Sequence, residues 1–476
     1  MVYSFLLFLL VFTGIGISAI FFSKRSASDY YLASCTTSPW LVGLSAVATN
    51  NSGYMFIGVI GYTYVTGLAA FWLMFGWITG DFLASLFVHD RLRRATTETG
   101  ETSYAGVLSH WGGTRYKHLQ HLSAVISLMF LLAYASAQLV AGSKALQVLF
   151  AWPAWAGATM GAVMVMLYCF AGGIRASIWT DAAQSFVMLA GMGLLMVVGI
   201  TALGGTGETI SQMRLVDGYL DWFPGDLVLP GLAGGLLFAL SWMFAGLSVI
   251  GQPHIMVRFM SMKSSGNSMS RARVWYYGWF TVFYTMATIV GMLSRVYLPE
   301  IGSFDAELAL PTMAQQLLPP ALVGLVLAAM FAATMSTADS LLLSCSCAIT
   351  HDLLPHKVEK RWMLWTATIV TTFLALLLAL MNNQSVFNLV ILSWSTLASA
   401  FAPILLVYVF GGRMTETAAI SMLVIGVTTA LSWRWMGLHQ MVYEGMPGIL
   451  AGLLFYLGWY AVYAPHKLPP KVTDVK

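Results

Sequence analysis

About thirteen runs of roughly 18–28 apolar residues follow one another along the chain, and they constrain its fold more than any other feature. They lie near 2–22, 40–66, 69–90, 119–149, 153–170, 178–203, 229–250, 273–297, 319–346, 362–381, 386–410, 416–434 and 445–464. A helix advances about 1.5 Å per residue, so each run is long enough to cross a hydrocarbon core about 30 Å thick. Barrel strands would instead alternate apolar and polar residues. Only 9% of the 476 residues are charged, against about 25% in soluble domains. So few charges cannot cover a water-facing surface, which excludes soluble and disordered chains. The expected fold class is an all-α integral membrane protein, a single transmembrane domain over 1–476 embedded in a lipid bilayer. The net charge of +4 is small and points to no nucleic-acid partner.

The distribution of Lys and Arg tests the span count. With thirteen crossings, nineteen of the 23 basic residues fall in alternate loops, among them Lys24, Arg25, Arg91, Arg93, Arg94, Arg258, Lys263, Lys357, Lys471 and Lys476. The opposite loops are acidic, with Glu208, Asp217, Asp221, Asp226, Glu300, Asp305 and Glu307. Basic loops stay cytoplasmic, so the N-terminus is expected outside and the C-terminus inside. Lys24 and Arg25 follow the first apolar run, which therefore reads as a retained span rather than a cleaved signal. Lys144, near the outer part of the fourth span, is expected to snorkel. The longest connections, 91–118 and 204–228, are too short to hold a catalytic domain, which places function inside the bundle.

Three segments interrupt the apolar pattern. The second span contains Ser45-Ala46-Val47-Ala48-Thr49-Asn50-Asn51-Ser52-Gly53-Tyr54. These side chains compete for backbone partners, so the helix either unwinds and turns carbonyls toward a cavity or makes a polar contact with another helix. The seventh span ends in Gly246-Leu247-Ser248-Val249-Ile250-Gly251-Gln252-Pro253-His254, where Pro253 removes a backbone donor. It is either an ordinary kink or the counterpart of the first break. Five spans separate the two, the pattern of an inverted-repeat transporter with its site at the repeat interface. In the ninth span, Ser336, Asp339 and Ser340 share one helix face with Thr337 beside it. Hydroxyls and a carboxylate are hard donors suited to an alkali cation. Asp181 is expected where the sixth span opens, and Asp81 in the third is given no role.

These residues resemble the sodium/solute symporter family, and most of all its bacterial sodium/proline symporters. The resemblance covers nearly the whole chain. It rests on Asp29-Tyr30-Tyr31-Leu32, Leu44-Ser45-Ala46 with Ser52-Gly53, and Trp179-Thr180-Asp181 with Gln184. Gly251-Gln252-Pro253-His254 running to Arg258-Phe259-Met260, and Met335-Ser336-Thr337-Ala338-Asp339-Ser340 with Ala348-Ile349-Thr350, complete it. The resemblance implies a LeuT-like core of two inverted five-helix repeats, about 40–203 and 229–410. One extra helix precedes them (2–22) and two follow (416–434 and 445–464). It implies a coupling Na+ held by the carbonyls of Ala48, Asn51 and Ala333 and the hydroxyls of Ser336 and Thr337. It also admits a second sodium at Asp181, Ser336, Asp339 and Ser340. The solute is placed against Asn50, Gly53, Tyr54, Tyr134, Gln138, Ala245, Val249 and Gln252.

Two departures stand out. The proline symporters carry an aspartate where this chain has Asn50. They also carry a tryptophan and a tyrosine where it has Ala245 and Val249, which suggests a different or larger solute. The expected function is sodium-coupled import of a small organic solute by alternating access, an amino acid with proline as first guess, across the inner cell membrane. A transporter-like sensor, or a symporter for another small organic acid, is the alternative. A channel would need a pore-lining ring that no span shows, and an enzyme would need a metal cluster, nucleophile elbow or facing acids.

Overall fold

Short polar side chains and prolines open many of the helices in the computed structural model of the protein. Ser103 Oγ accepts the N–H of Gly106 at 2.8 Å, and Thr415 Oγ1 accepts that of Ala418 at 3.3 Å. Pro39, Pro253 and Pro320 stand in first turns, where a missing N–H costs nothing. The structure describes residues 1–467 apart from 23, 25, 264–265, 300–303, 355–359 and 382–384. Arg25, Glu300, Lys357, Lys471 and Lys476 of the loop-charge pattern lie outside the described residues.

The principal helices are α1 (Val2–Ser18), α2 (Pro39–Asn50), α3 (Gly58–Thr66), α4 (Phe71–Phe87), α5 (Lys117–Phe150), α6 (Ala154–Gly172) and α7 (Ile174–Ala202). They continue with α8 (Gly231–Leu247), α9 (Pro253–Met260), α10 (Ser268–Tyr297), α11 (Pro320–Cys347), α12 (Arg361–Met381), α13 (Val386–Val409), α14 (Glu416–Trp435) and α15 (Gly445–Lys467). Eleven helices among the described residues are long and apolar enough to cross a membrane. The count differs from thirteen for identifiable reasons. The second span is divided at Asn51, leaving α2 too short by itself, and the stretch Gly53–Phe87 runs through α3 and α4 as one. Helix α6 offers a shorter apolar stretch, Ala154–Leu167.

α11 and α13 are enclosed by other helices, whereas α1, α14 and α15 stand at the periphery. α11 packs on α5 and α7, α8 lies along α4, and α10 lies along α2. One pair of backbone bonds joins the approaches to the two broken spans. Thr37 N–H donates to the carbonyl of Ser261 at 3.3 Å, and Lys263 N–H donates to that of Thr37 at 2.9 Å.

Two ion pairs secure the ends of the bundle. Arg175 Nη2 donates to Asp29 Oδ1 at 2.6 Å. Burial opposes the charge on Asp29, but the bonds from Arg175, the Lys24 N–H and Ser34 outweigh it and lower its pKa below the ordinary 3.8. At the other side Lys144 pairs with two acids. Its Nζ lies 2.9 Å from Asp305 and 2.7 Å from Glu307. Glu307 in turn accepts Ser385 Oγ at 2.6 Å and the N–H groups of Val386 and Phe387, at the start of α13.

Candidate functional site

α2 stops at Asn50 because the following N–H groups go elsewhere. Asn51 N–H still reaches Val47, but Gly53 N–H is taken by Gln138 Oε1 at 2.9 Å and Tyr54 N–H by Ser52 Oγ at 3.2 Å. The unwound alternative therefore holds for this span. The carbonyls of Ala48 and Thr49 are left for other donors. Ser336 Oγ donates to Ala48 O at 3.2 Å, and Thr337 Oγ1 donates to Thr49 O at 2.8 Å. Both hydroxyls also reach Ala333 O, at 3.1 and 3.2 Å. Four of the five residues expected around sodium are thus in direct mutual contact, with Thr49 an addition. Asn51 adjoins them in sequence, its Nδ2 donating back to Val47 O at 2.9 Å.

The seventh span breaks by a different device. After α8, residues Ser248–Gly251 form one 3₁₀ turn, Gln252 is extended, and Pro253 starts α9. Gly251 sits against α13 so closely that a Cβ there would lie 2.5 Å from Ala398 Cα. Gln252 Nε2 donates to Ser248 O at 3.1 Å and to Trp394 O at 2.8 Å.

The expected solute residues line these two breaks, and all are buried. Their amides share a pattern. Each uses one end to hold the fold and leaves the other unpartnered: Asn50 Oδ1, Gln138 Nε2 and Gln252 Oε1. Tyr54 OH and both ring nitrogens of His254 are unpartnered as well. Buried polar atoms are normally satisfied, so donors and acceptors left over around two helix breaks mark a place for a polar ligand. Tyr134 packs edge-on to His254 with ring centres 5.4 Å apart, and its OH lies 3.4 Å from Ser52 Oγ.

Ala245 and Val249 do not leave an open space. Trp394, fully buried on α13, donates its indole N–H to Ala245 O at 2.8 Å. Trp77 lies 5.2 Å from Trp394 and 5.7 Å from Tyr54, ring centre to ring centre. Trp77 and Trp394 bring aromatic surface from α4 and α13 to this side of the break.

Asn50 is turned to a carboxylate that the sequence reading left without a role. Its Nδ2 lies 3.2 Å from Asp81 Oδ2 and 2.6 Å from Tyr276 OH. Asp81 also accepts the hydroxyls of Tyr276 and Tyr277, each at 2.7 Å. A carboxylate on α4 thus stands beside the amide at position 50.

Asp181 lies two turns inside α7 instead of opening the span, because the helix begins at Ile174. It comes together with Asp339 and Ser340 as expected, and with Arg258, which does not belong to a loop. The Arg258 side chain is 1% exposed, and its Nη2 lies 3.1 Å from Asp181 Oδ2 and 4.0 Å from Asp339 Oδ1. Thr49 Oγ1 connects this cluster to the first, standing 3.4 Å from both Asp181 Oδ2 and Ser340 Oγ. From the side of the basic loops, a cavity of about 30 Å³ between Tyr104, Pro253, Cys347 and Asp352 reaches Arg258.

Two broken helices facing a hydroxyl-bearing third within a polytopic bundle define the LeuT-like transporter fold. A solved Na+-coupled sialic acid symporter, substrate-bound and outward-open, superposes with a TM-score of 0.80 over 98% of both chains at 16% identity. Mhp1, a nucleobase-cation-symport-1 family transporter, gives 0.57 over 91% of this chain and 94% of its own, at 14% identity. In sequence, the chain belongs to the sodium:solute symporter family, whose family model matches residues 30–426. The high-affinity proline transporter PutP of Bacillus subtilis is 30% identical over 90% of this chain and 92% of its own. The sodium/proline symporter of Escherichia coli is 29% identical over 90% and 87%.

Proposed function

We propose that this protein imports an amino acid, proline first among them, by sodium-coupled symport across the inner cell membrane. The observation that carries the reading is the first helix break, where hydroxyls of Ser336 and Thr337 meet carbonyls that α2 no longer uses. Sodium binds there, held by the carbonyls of Ala48, Asn51 and Ala333 and by those two hydroxyls. Because the ligands come from α2 and α11 together, the ion favours the arrangement in which these helices touch.

The solute lies across the two breaks, against Asn50, Gly53, Tyr54, Tyr134, Gln138, Ala245, Val249 and Gln252. An amino acid carries both an acceptor carboxylate and a donor ammonium or iminium. Gln138 Nε2 and Tyr54 OH supply donors, while Asn50 Oδ1 and Gln252 Oε1 supply acceptors. Trp394 and Trp77 fill the space opposite Ala245, which favours a ligand of proline's size over a larger one. The helices form two inverted repeats, about 40–203 and 229–410, within thirteen crossings, the N-terminus outside and the C-terminus in the cytoplasm.

The test is uptake into proteoliposomes, with labelled L-proline beside a panel of other amino acids and small carboxylates, in sodium and in potassium. Proline accumulation that needs an inward sodium gradient is the expected result. Gradient-independent equilibration, or uptake of carboxylates but no amino acid, overturns the reading.

A further inference from the structure

The place where a second sodium was expected holds a positive charge of the protein's own. We propose that Arg258 is the second cation of this carrier, a tethered guanidinium between Asp181 and Asp339, so that a single sodium is the only exchangeable one. The inference rests on the sodium-coupled reading above and refines it.

Three observations support it. Arg258 is wholly buried, and its side chain is bonded on every edge. Nε meets Ser45 Oγ at 3.1 Å, Nη1 meets His254 O at 2.7 Å, and Nη2 meets Ser177 Oγ at 2.8 Å, Asp181 Oδ2 at 3.1 Å and Ser340 Oγ. A charge fixed in this way does not exchange with solvent, and an arginine does not lose its proton in a protein.

The hydroxyl oxygens that would ligate a sodium accept from the guanidinium, so their lone pairs, unlike those of Ser336 and Thr337, are taken. Ser45 Oγ donates to Asp181 at 2.7 Å while accepting from Arg258. Ser177 Oγ lies 3.0 Å from Asp339 Oδ1, and Ser340 Oγ lies 2.9 Å from it and 2.5 Å from Ser336 O. A sodium ion would need these same oxygens and would stand beside the guanidinium, where like charges repel strongly in a medium of low dielectric.

The charge count completes the argument. Two carboxylates face one guanidinium, which leaves one negative charge to balance. Asp181 hydrogen-bonds the guanidinium, whereas Asp339 stands 4.0 Å away. One proton on the carboxyl pair makes the cluster neutral, as two acids this close to each other require in the membrane interior. Asp339, the acid farther from the guanidinium, carries it.

Arg258 also joins the moving parts. It sits on α9, beyond the second break, and grips Ser45 on α2, Asp181 on α7 and Ser340 on α11. A free ion at this position would leave once per cycle, whereas a tethered one stays.

Equilibrium binding of ²²Na+ to the purified protein in lipid nanodiscs tests this without knowledge of the solute. The wild type is expected to hold one sodium per chain at saturation. Arg258→Lys keeps the tether and stays at one. Arg258→Met frees two carboxylates and three hydroxyls and rises to two. Asp339→Asn, for use should Arg258→Met fail to fold, leaves the count at one. A wild-type count of two, an unchanged count in folded Arg258→Met, or a reduced count in Asp339→Asn overturns the assignment of Arg258. A wild type that binds no sodium instead overturns the sodium-coupled reading on which it rests.

Discussion

Replacing Thr337 by Ala removes one hydroxyl that meets both halves of the proposed sodium site. In the structure that hydroxyl lies 2.8 Å from Thr49 O and 3.2 Å from Ala333 O, with no exposure to solvent. Two effects follow. The fold loses a hydrogen bond and leaves the Thr49 carbonyl short of a donor, a cost of about 1–3 kcal/mol. The ion loses one of its oxygen ligands. An interaction between a charged group and a hydroxyl contributes about 1.5–3 kcal/mol, and about 1.4 kcal/mol corresponds to a tenfold change in affinity. Half-saturating sodium should therefore rise roughly tenfold to a hundredfold. Thr337→Ser retains the oxygen and should stay within a few-fold of the wild type. The assay is the sodium dependence of L-proline uptake in proteoliposomes, normalised to inserted protein. If half-saturation is unchanged in both Thr337→Ala and Ser336→Ala, the ion binds elsewhere and the reasoning fails.

Asn50→Asp would bring a second carboxylate to about the 3.2 Å that now separates the Asn50 amide from Asp81, and transport should fall. The double change Asn50→Asp with Asp81→Asn should restore much of it, and equal uptake in the single and double variants would refute the pairing. Gly251→Ala would push a methyl to 2.5 Å from Ala398 Cα, so the melting temperature in detergent should drop by the equivalent of about 1–3 kcal/mol. An unchanged melting temperature would mean the break can move away from α13. Asp29 has a lowered pKa, so its pairing with Arg175 stabilises the protein above pH 3.8 and the stabilisation disappears as pH falls through the lower folded value. The melting difference between wild type and Asp29→Asn should accordingly be flat near neutrality and close only below about pH 4; closure already at pH 6 would refute it.

The helices and both breaks could be read from the residues because each rests on a local cause. Apolar runs of membrane length, a cluster of Asn, Ser and Gly, and one proline act over a few positions. The expected sodium ligands followed from the family resemblance, which fell on the same polar segments, whereas Thr49 appears only where α2 and α11 are in contact. What could not be read are pairings between distant segments. Arg258 counts as a basic loop residue in sequence, but α9 carries it back inward from Pro253 to Asp181, 77 positions away. Its spacing of a turn and a half after the proline is the signal that was available. Asp81 found Asn50 and two tyrosines on α10 in the same way. Lys144 found its acids at 305 and 307, and Trp394 its carbonyl partner at Ala245 on another helix. The span count differed where a crossing is divided at Asn51 and where α3 runs on into α4.

The hydroxyls at the first break have a further consequence. Ser336 and Thr337 already bond the carbonyls of Ala48, Thr49 and Ala333. An ion arriving at the proposed site would therefore exchange existing bonds for coordination, and a departing ion would give them back. Its affinity is measured against a well-satisfied alternative rather than against bare dipoles, and is correspondingly moderate. Tight capture would stall a machine that must discharge its ion into a sodium-poor compartment on every turnover. At the proposed site the protein itself competes for the ligands, and release of the ion would return two hydroxyl hydrogens to the carbonyls they left.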